Sequence, residues 1–389
     1  MSSSACQWIS PRSIFCSSLL VLCFLSIFLI YYNPDFNYAN VGSYLERGRQ
    51  FCPTMLCTEK AQTQDSDQNS PTELHPHPSD TQENQTIAVD AEPDTILLIW
   101  MWPFGYRFDL SCNIFNITRC RLTDDKTLYH KAHGVFFHHR DINYNLVNMP
   151  KEPRPSFQKW VWSNMESPAN AGQIPKLNDL FNLTCTYRLD SNIPVPYGYQ
   201  MPLTSKEESF KLPAKDKLVC WIVSNLNANH ERVKFYNELK KYIKIHAYGK
   251  GFGQRISDED YSKIVSSCKF YLSFENSIYK DYITEKLYKP MMKGSVPIVL
   301  GPSRPSYENH IRADSFIHVN DFSSPKELAD RLLYLDQNNS EYMRYFTWTS
   351  KFKVRTIHFG KEHACKTCSY LQKHREYQAV HDLNKWYWG

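Results

Sequence analysis

The clearest alternation of apolar and polar positions runs from residue 269 to 301, KFYLSFENSIYKDYITEKLYKPMMKGSVPIVLG. An apolar run (Phe270, Tyr271, Leu272, Phe274) ends in the polar turn Glu275-Asn276-Ser277. Ile283, Leu287 and Met291 then recur at the spacing of one helix face. Gly294 stops that helix, and a second apolar run, 296–300, ends at Gly301. Strand, turn, helix, strand is one βαβ unit of a parallel sheet. Ligands of such sheets sit beyond the carboxyl ends of the strands. That end here carries Glu275, Asn276, Tyr282, Glu285 and Lys286. Pro290, inside the helix, is expected to kink or shorten it beyond Lys289.

The pattern extends to both sides. Residues 96–100, 132–138 and 158–162 read as strands. Residues 202–216 are polar, carry two prolines and read as a linker. A strand at 217–223, a helix at 231–242 and a strand at 243–248 follow, then the βαβ unit and a strand at 315–319. Residues 325–336 read as an amphipathic helix opened by proline. Strands alternating with helices in both halves predict two α/β domains facing across a cleft, 95–205 and 206–355. Residues 356–389 are expected to pack back on the first.

Upstream, residues 14–32 form a run of 19 apolar or small residues without a charge. That is enough to span a bilayer as a helix. Arg12 and the amino terminus precede it, and Asp35 and Glu46 follow. The positive-inside bias places residues 1–13 in the cytoplasm and the rest in the lumen. No small-x-small cleavage site follows, which favours an uncleaved signal anchor over a signal peptide. Residues 33–94, with few large apolar residues from 60 onward, read as a flexible stem. Cys52 and Cys57 lie in it and could pair with each other or across two chains, which leaves a homodimer through anchor or stem open.

Composition narrows the class. Net charge is +5 with no basic block, which argues against nucleic acid as a partner. Four Asn-x-Ser/Thr sites, at Asn84, Asn116, Asn182 and Asn338, have meaning only in the secretory pathway. An oxidising lumen favours structural disulfides over a zinc site for Cys365-Lys-Thr-Cys368. Cys112 and Cys120 are eight apart and Cys365 and Cys368 three apart. Two parallel bridges between these pairs would tie the C-terminal tail to the start of the folded region. Cys220 and Cys268 make a third bridge, and the isolated Cys185 is left as the free thiol.

At this point the motifs carry a resemblance. FYLSFENS, DYITEKLY and GSVPIVLGPSR within 270–304 stand beside WMWPFG at 100–105, HHRDI at 138–142 and FQKWVWSNMESP at 157–168. VPYGY at 195–199, CWIVSN at 220–225 and RVKFYNEL at 232–239 complete the set. Together they resemble the α1,3-fucosyltransferases of glycosyltransferase family 10, nearest the branch that makes the Lewis x determinant. The resemblance implies a two-domain fold of the glycosyltransferase B type, GDP-fucose as donor and inversion at the sugar carbon. It implies transfer to O3 of GlcNAc in N-acetyllactosamine-type glycans of glycoproteins and glycolipids. It also implies a single-pass type II protein of the Golgi membrane.

Residue by residue, the resemblance makes Glu166 of the MESP stretch the general base that takes the acceptor proton. Arg232 and Lys286 are to hold the diphosphate, with Ser224 and Asn225 lining the same turn. Tyr197, Tyr271, Asn276, Tyr282 and Glu285 are to contact the nucleotide sugar. Tyr106 falls on the acceptor side, where the Lewis x branch has a Gln. A phenol can stack on a galactose face but cannot copy an amide's hydrogen bonds, which leaves acceptor preference open. Without the resemblance, Glu166 reads as one surface charge among 40 acidic residues, Arg232 as a solvated side chain, and Tyr271 and Tyr282 as core aromatics.

No divalent metal is expected to be strictly required. Asp258-Glu259-Asp260 contains a D-x-D pattern but reads as a solvated helix start capped by Ser257. Asp124-Asp125 reads as a turn, and His138 and His139 on a strand would point to opposite faces. Two rival readings remain. One is fucosyl transfer to the N-glycan core or to protein hydroxyls, and the other is a non-catalytic, lectin-like luminal domain.

Overall fold

The computed structural model describes residues 94–204 and 210–389. The expected anchor and stem, Cys52, Cys57 and Asn84 lie outside the described residues.

Two parallel sheets carry the chain. The first contains β1 (Thr95–Ile99), β2 (Cys120–Thr123), β3 (Gly134–His138), β4 (Lys159–Asn164), β5 (Leu183–Thr186) and β6 (Ile193–Pro194), in the order β2-β1-β3-β4-β5-β6. Its central strands are buried along their whole length, GVFFH and KWVWSN, as strands covered on both faces must be. The expected helices between these strands are absent. Among the described residues the connections are loops and short 3₁₀ turns, such as Pro103–Gly105, Pro168–Asn170 and Pro175–Leu177. Proline and asparagine recur there, and neither sustains a helix interior.

The second sheet contains β8 (Lys217–Ile222), β9 (Ile245–Tyr248), β10 (Cys268–Phe274), β11 (Val296–Leu300) and β12 (Ile317–His318), in the order β12-β11-β10-β8-β9. Here helices do alternate with strands: α1 (Glu231–Leu239), α2 (Asp258–Ser267), α3 (Glu285–Met292), α4 (Arg304–Glu308), α5 (Pro325–Gln337) and α6 (Asn339–Met343). Ser257 caps α2 by accepting from the Asp260 N–H at 3.0 Å, as expected of the acidic run. α3 runs through Pro290 to Met292, three residues beyond the expected break. The proline forfeits one helix bond, and burial of Leu287, Tyr288, Pro290 and Met291 holds the turn around it. Between the sheets β7 (Gly198–Pro202) pairs antiparallel with β13 (Phe352–Thr356), a ribbon that the hydrophobic pattern does not announce.

The C-terminal residues supply what the first sheet lacks. α7 (Lys361–Lys373) packs on β1, β2 and β3 through Ala364, Cys365, Cys368 and Leu371. Gly134 in β3 lies so close to Leu371 that a Cβ there would sit 2.4 Å from its Cδ1. α8 (Leu383–Trp388) closes on Trp162, with ring centroids of Trp162 and Tyr387 4.8 Å apart. Disulfides Cys112–Cys365 and Cys120–Cys368 fasten α7 to the loops around β2. Cys220–Cys268 joins β8 to β10, and Cys185 is a buried free thiol.

The two bridges to α7 span 253 and 248 residues of sequence but lie side by side. While one stands, the other closes only a short ring. Replacing either pair by alanine should therefore cost about 3 kcal/mol, and removing the second should cost roughly 5 more. Urea midpoints of the two single-bridge variants and the double variant check this. Additive losses would show that α7 docks independently of its tethers.

Candidate active site

The order of the second sheet reverses between β8 and β10, which makes their carboxyl ends a topological switch point where ligands bind. A cavity of about 580 Å³ opens there, within the range of small-molecule sites. Seven of the expected donor residues line it: Ser224 and Asn225 after β8, Arg232 on α1, Tyr271 on β10, Asn276 after β10, and Glu285 and Lys286 on α3. The cavity also has Lys250, Arg255 and Lys289 on its walls, which the sequence pattern did not single out. Lys289 had a signal, since it lies one helical turn after Lys286. Five cations face two acids, Asp258 and Glu285, so the lining is cationic overall. That suits an anionic ligand.

The residues that hold these cations explain their placement. Thr284 caps α3, and its hydroxyl accepts from Lys286 Nζ at 2.8 Å. Glu275, at the end of β10, is buried and accepts from the Thr284 N–H at 2.8 Å and its hydroxyl at 2.9 Å. Lys286 Nζ lies 3.3 Å from Glu275 and 3.2 Å from Glu285. Burial works to lower the Lys286 pKa, but the carboxylates of Glu275 and Glu285 outweigh it, so the ammonium is held charged above its ordinary range. Arg232 is 5% exposed in the first turn of α1. One of its nitrogens donates to the Asn225 carbonyl at 2.7 Å, while Nε is buried without a partner. Burial pulls its pKa down and Glu275 opposes that. An unpartnered buried N–H on a cavity wall is a fitting donor for a phosphate oxygen.

The first sheet contributes from its own carboxyl edge. Glu166 lies two residues beyond β4. Its backbone N–H donates to Asn164 Oδ1 at 3.2 Å, and its carbonyl accepts from the Tyr387 hydroxyl of α8. No hydrogen bond or ion pair from the described residues engages its carboxylate. Ser167 and Ser277 share a hydrogen bond of 2.7 Å, which sets Glu166 one residue from a contact whose other side adjoins Asn276 and the cavity.

Tyr197 and Tyr282 stand at the joint between the halves, both within electrostatic reach of Glu166 and Glu285, and Tyr282 also of Arg232. Neither lines the cavity. The Tyr197 hydroxyl donates to the Met165 carbonyl, and Tyr282 packs edge-on to Tyr187 with centroids 5.1 Å apart. They seal the junction between the halves, beside Glu166.

Other candidates resolve by their contacts. His139 accepts from Trp162 Nε1 at 3.2 Å and reaches the Gly172 carbonyl at 2.8 Å. Burial brings its pKa down to about 4, so it is a neutral structural histidine. His138 pairs with Asp141 at 2.7 Å. Within the acidic run Glu259 pairs with Lys263 and Asp260 with Ser257, and Asp258 faces the cavity. Among the described residues no three of His, Cys, Asp and Glu gather to hold a metal ion. Tyr106 is 59% exposed beside the Pro103–Gly105 turn. Asn116 is exposed. Asn182 is buried, with its oxygen accepting from the Trp160 N–H and its amide nitrogen donating to the Gln378 carbonyl, so at most one amide hydrogen is left for a glycan.

The arrangement can grip a phosphorylated ligand at the second sheet while presenting an unengaged carboxylate from the first. Comparison with known proteins agrees in class. Residues 212–386 match the family model for glycosyltransferase family 10 (fucosyltransferase), C-terminal, and residues 92–198 match that for fucosyltransferase, N-terminal. The chain belongs to the family 10 fucosyltransferases. It is 54% identical over 298 residues to 4-galactosyl-N-acetylglucosaminide 3-alpha-L-fucosyltransferase 9 of Mus musculus, covering 76% of this chain and 83% of the relative. The Homo sapiens protein of the same name gives the same identity and coverage. The Homo sapiens 4-galactosyl-N-acetylglucosaminide 3-alpha-L-fucosyltransferase FUT5 is 38% identical over 317 residues, covering 80% of this chain and 84% of that one. A crystal structure of an alpha1,3-fucosyltransferase with GDP-fucose shares the fold at TM-score 0.50 and 18% identity, over 76% of this chain and 95% of that one.

Arg232→Met keeps the aliphatic stem and removes the buried cation. GDP affinity measured by calorimetry should fall by about 2 kcal/mol, roughly thirtyfold. Unchanged affinity would take Arg232 out of the phosphate site.

Proposed function

We propose that this chain transfers L-fucose from GDP-β-L-fucose, with inversion, to O3 of GlcNAc in N-acetyllactosamine-type glycans of glycoproteins and glycolipids. The observation that carries the reading is the cationic cavity at the switch point, with Arg232 and Lys286 on its wall and Glu166 next in the chain to Ser167, whose hydroxyl bonds Ser277 beside the cavity's Asn276. The names of the relatives at 54% and 38% identity support the acceptor and the linkage.

In this reading Arg232 and Lys286 neutralise the charge that builds on the departing GDP. Ser224, Asn225, Tyr271, Asn276 and Glu285 line the nucleotide sugar's path. Glu166 accepts the proton of the acceptor hydroxyl as it attacks the fucose carbon. Its carboxylate suits a base because no donor among the described residues occupies it. Tyr197 and Tyr282 contact the nucleotide sugar from the joint between the halves, where they meet Met165 and Tyr187. Tyr106, exposed on the first half, is an acceptor contact. The two sheets form a glycosyltransferase B arrangement, with 95–205 on the acceptor side, 206–355 on the donor side and 356–389 packed on the first. An anchor at 14–32 would hold the catalytic region in the Golgi lumen as a type II protein, with a homodimer through anchor or stem. Asn84, Asn116, Asn182 and Asn338 remain proposed glycan sites.

The soluble chain 60–389, given GDP-fucose and N-acetyllactosamine, tests the reaction. Transfer should persist in EDTA, since the cavity supplies its own cations. Loss in EDTA would bring a metal back, with Asp258 as a ligand to examine. No transfer to any galactose-terminated acceptor would sink the reading.

Glu166→Gln separates binding from chemistry. GDP affinity should be unchanged while turnover falls about a hundred- to ten-thousandfold, a base's usual contribution. Single-turnover rates at saturating donor check this, and a near-normal rate would move the base elsewhere.

A further inference from the structure

We propose that Glu275 is a positioning residue for the donor phosphates: it fixes the ammonium of Lys286 and the first turn of α3 without touching the donor. The inference rests on reading the cavity as the GDP-fucose site.

Glu275 is not among the residues that line the cavity. Its side chain is 1% exposed, sealed behind the wall between β10 and α3. A carboxylate in such a place is costly unless paired and hydrogen-bonded. The strand-turn-helix unit does not itself need one. A neutral glutamine could accept from the Thr284 N–H and hydroxyl, which lie 2.8 and 3.0 Å from Glu275 Oε1. What glutamine cannot supply is negative charge. The partner that uses the charge is Lys286, 3.3 Å away. Thr284 joins the two: its hydroxyl donates to Glu275 and accepts from Lys286 Nζ at 2.8 Å. The ammonium therefore has two contacts from the interior and a third, Glu285 at 3.2 Å, from a side chain that is 41% exposed. The interior pair sets the position of Nζ, and the exposed contact is the one a phosphate oxygen replaces.

Position alone also points to this role. Gly301 follows β11, and a Cβ there would lie 2.3 Å from the Tyr307 hydroxyl and 3.3 Å from Glu275 Cγ. The Glu275 stem thus packs closely against Gly301. Other charged or titratable groups around the ammonium are Tyr271 on β10, Glu285 and Lys289 on α3, and Arg232 on α1 across the cavity.

The test is GDP affinity by calorimetry on the full chain, across pH, for the wild type, Glu275→Gln, Lys286→Met and the double variant. Melting curves confirm that each is folded. Glu275→Gln should weaken GDP about tenfold. Its affinity should fail at lower alkaline pH than the wild type's, because the lysine has lost a buried anion that keeps it charged. A purely structural role would not move that limb. In the Lys286→Met background, Glu275→Gln should cost less than a further twofold. Wild-type affinity and pH dependence in Glu275→Gln would overturn the proposal, as would a further tenfold loss in the double variant. Should Glu275→Gln not fold, the double variant lacks the buried charges altogether, and its comparison with Lys286→Met decides alone. Failure of the wild type to bind GDP would instead overturn the donor reading, and the proposal with it.

Discussion

Six parallel strands with no α-helix between them leave two apolar faces that must be covered from elsewhere. Much of the architecture follows from that requirement. The chain completes its second sheet, with helices of its own, and then returns to lay α7 and α8 against the first. Two disulfides hold the return in place. The return also reaches the site, because Tyr387 of α8 donates to the Glu166 carbonyl. The last residues of the chain thus fix the backbone of the residue assigned the proton transfer, 221 positions earlier.

The second half solves a different problem, the burial of charge. Its cavity wall holds Arg232 and Lys286 in positions where burial disfavours their ionised forms. Lys286 stays cationic because the carboxylates of Glu275 and Glu285 outweigh its burial, and Arg232, though burial lowers its pKa, keeps the charge that a guanidinium holds at any ordinary pH. Such a site meets its desolvation cost when the protein folds rather than when ligand arrives. Preorganised charge of this kind stabilises a developing anion more than mobile side chains in water can.

The sequence made the second half far more legible than the first. The βαβ unit at 269–301 was readable because apolar runs, Gly294 and the four-residue spacing agree with one another. Its carboxyl-end residues are where the pattern put them, and seven expected donor residues share one cavity. In the first half the strands at 96–100, 132–138 and 158–162 were legible, while β2, β5 and β6 were too short to announce themselves. Expecting helices there was a natural error, since parallel strands usually need them as crossovers. The covering helices exist, but more than 200 residues away in sequence, beyond any local pattern. Motifs say that a tyrosine belongs near a site, but only the tertiary structure says whether its ring faces the ligand or the joint between the halves.

That joint governs how the parts can act together. Glu166 stands on the first half and the cations of the cavity on the second. Near Glu166 the direct links to the second half are Ser167 to Ser277, the Leu189 N–H to Asp281, Lys280 to Asp190, and the packing of Tyr282 on Tyr187 and Tyr197. These enter the second half through one segment, 277–282, the stretch between Glu275 and the cap of α3, while the β7–β13 ribbon and the Arg312 N–H on Gln200 join the halves elsewhere. A shift of this segment would therefore move Glu166 relative to the cavity and disturb the Thr284 cap at once. Proton transfer is sensitive to a misplacement of an ångström. The polar turn after β10 is thus both a wall of the cavity and a contact of the first half, and its residues answer to two sets of neighbours.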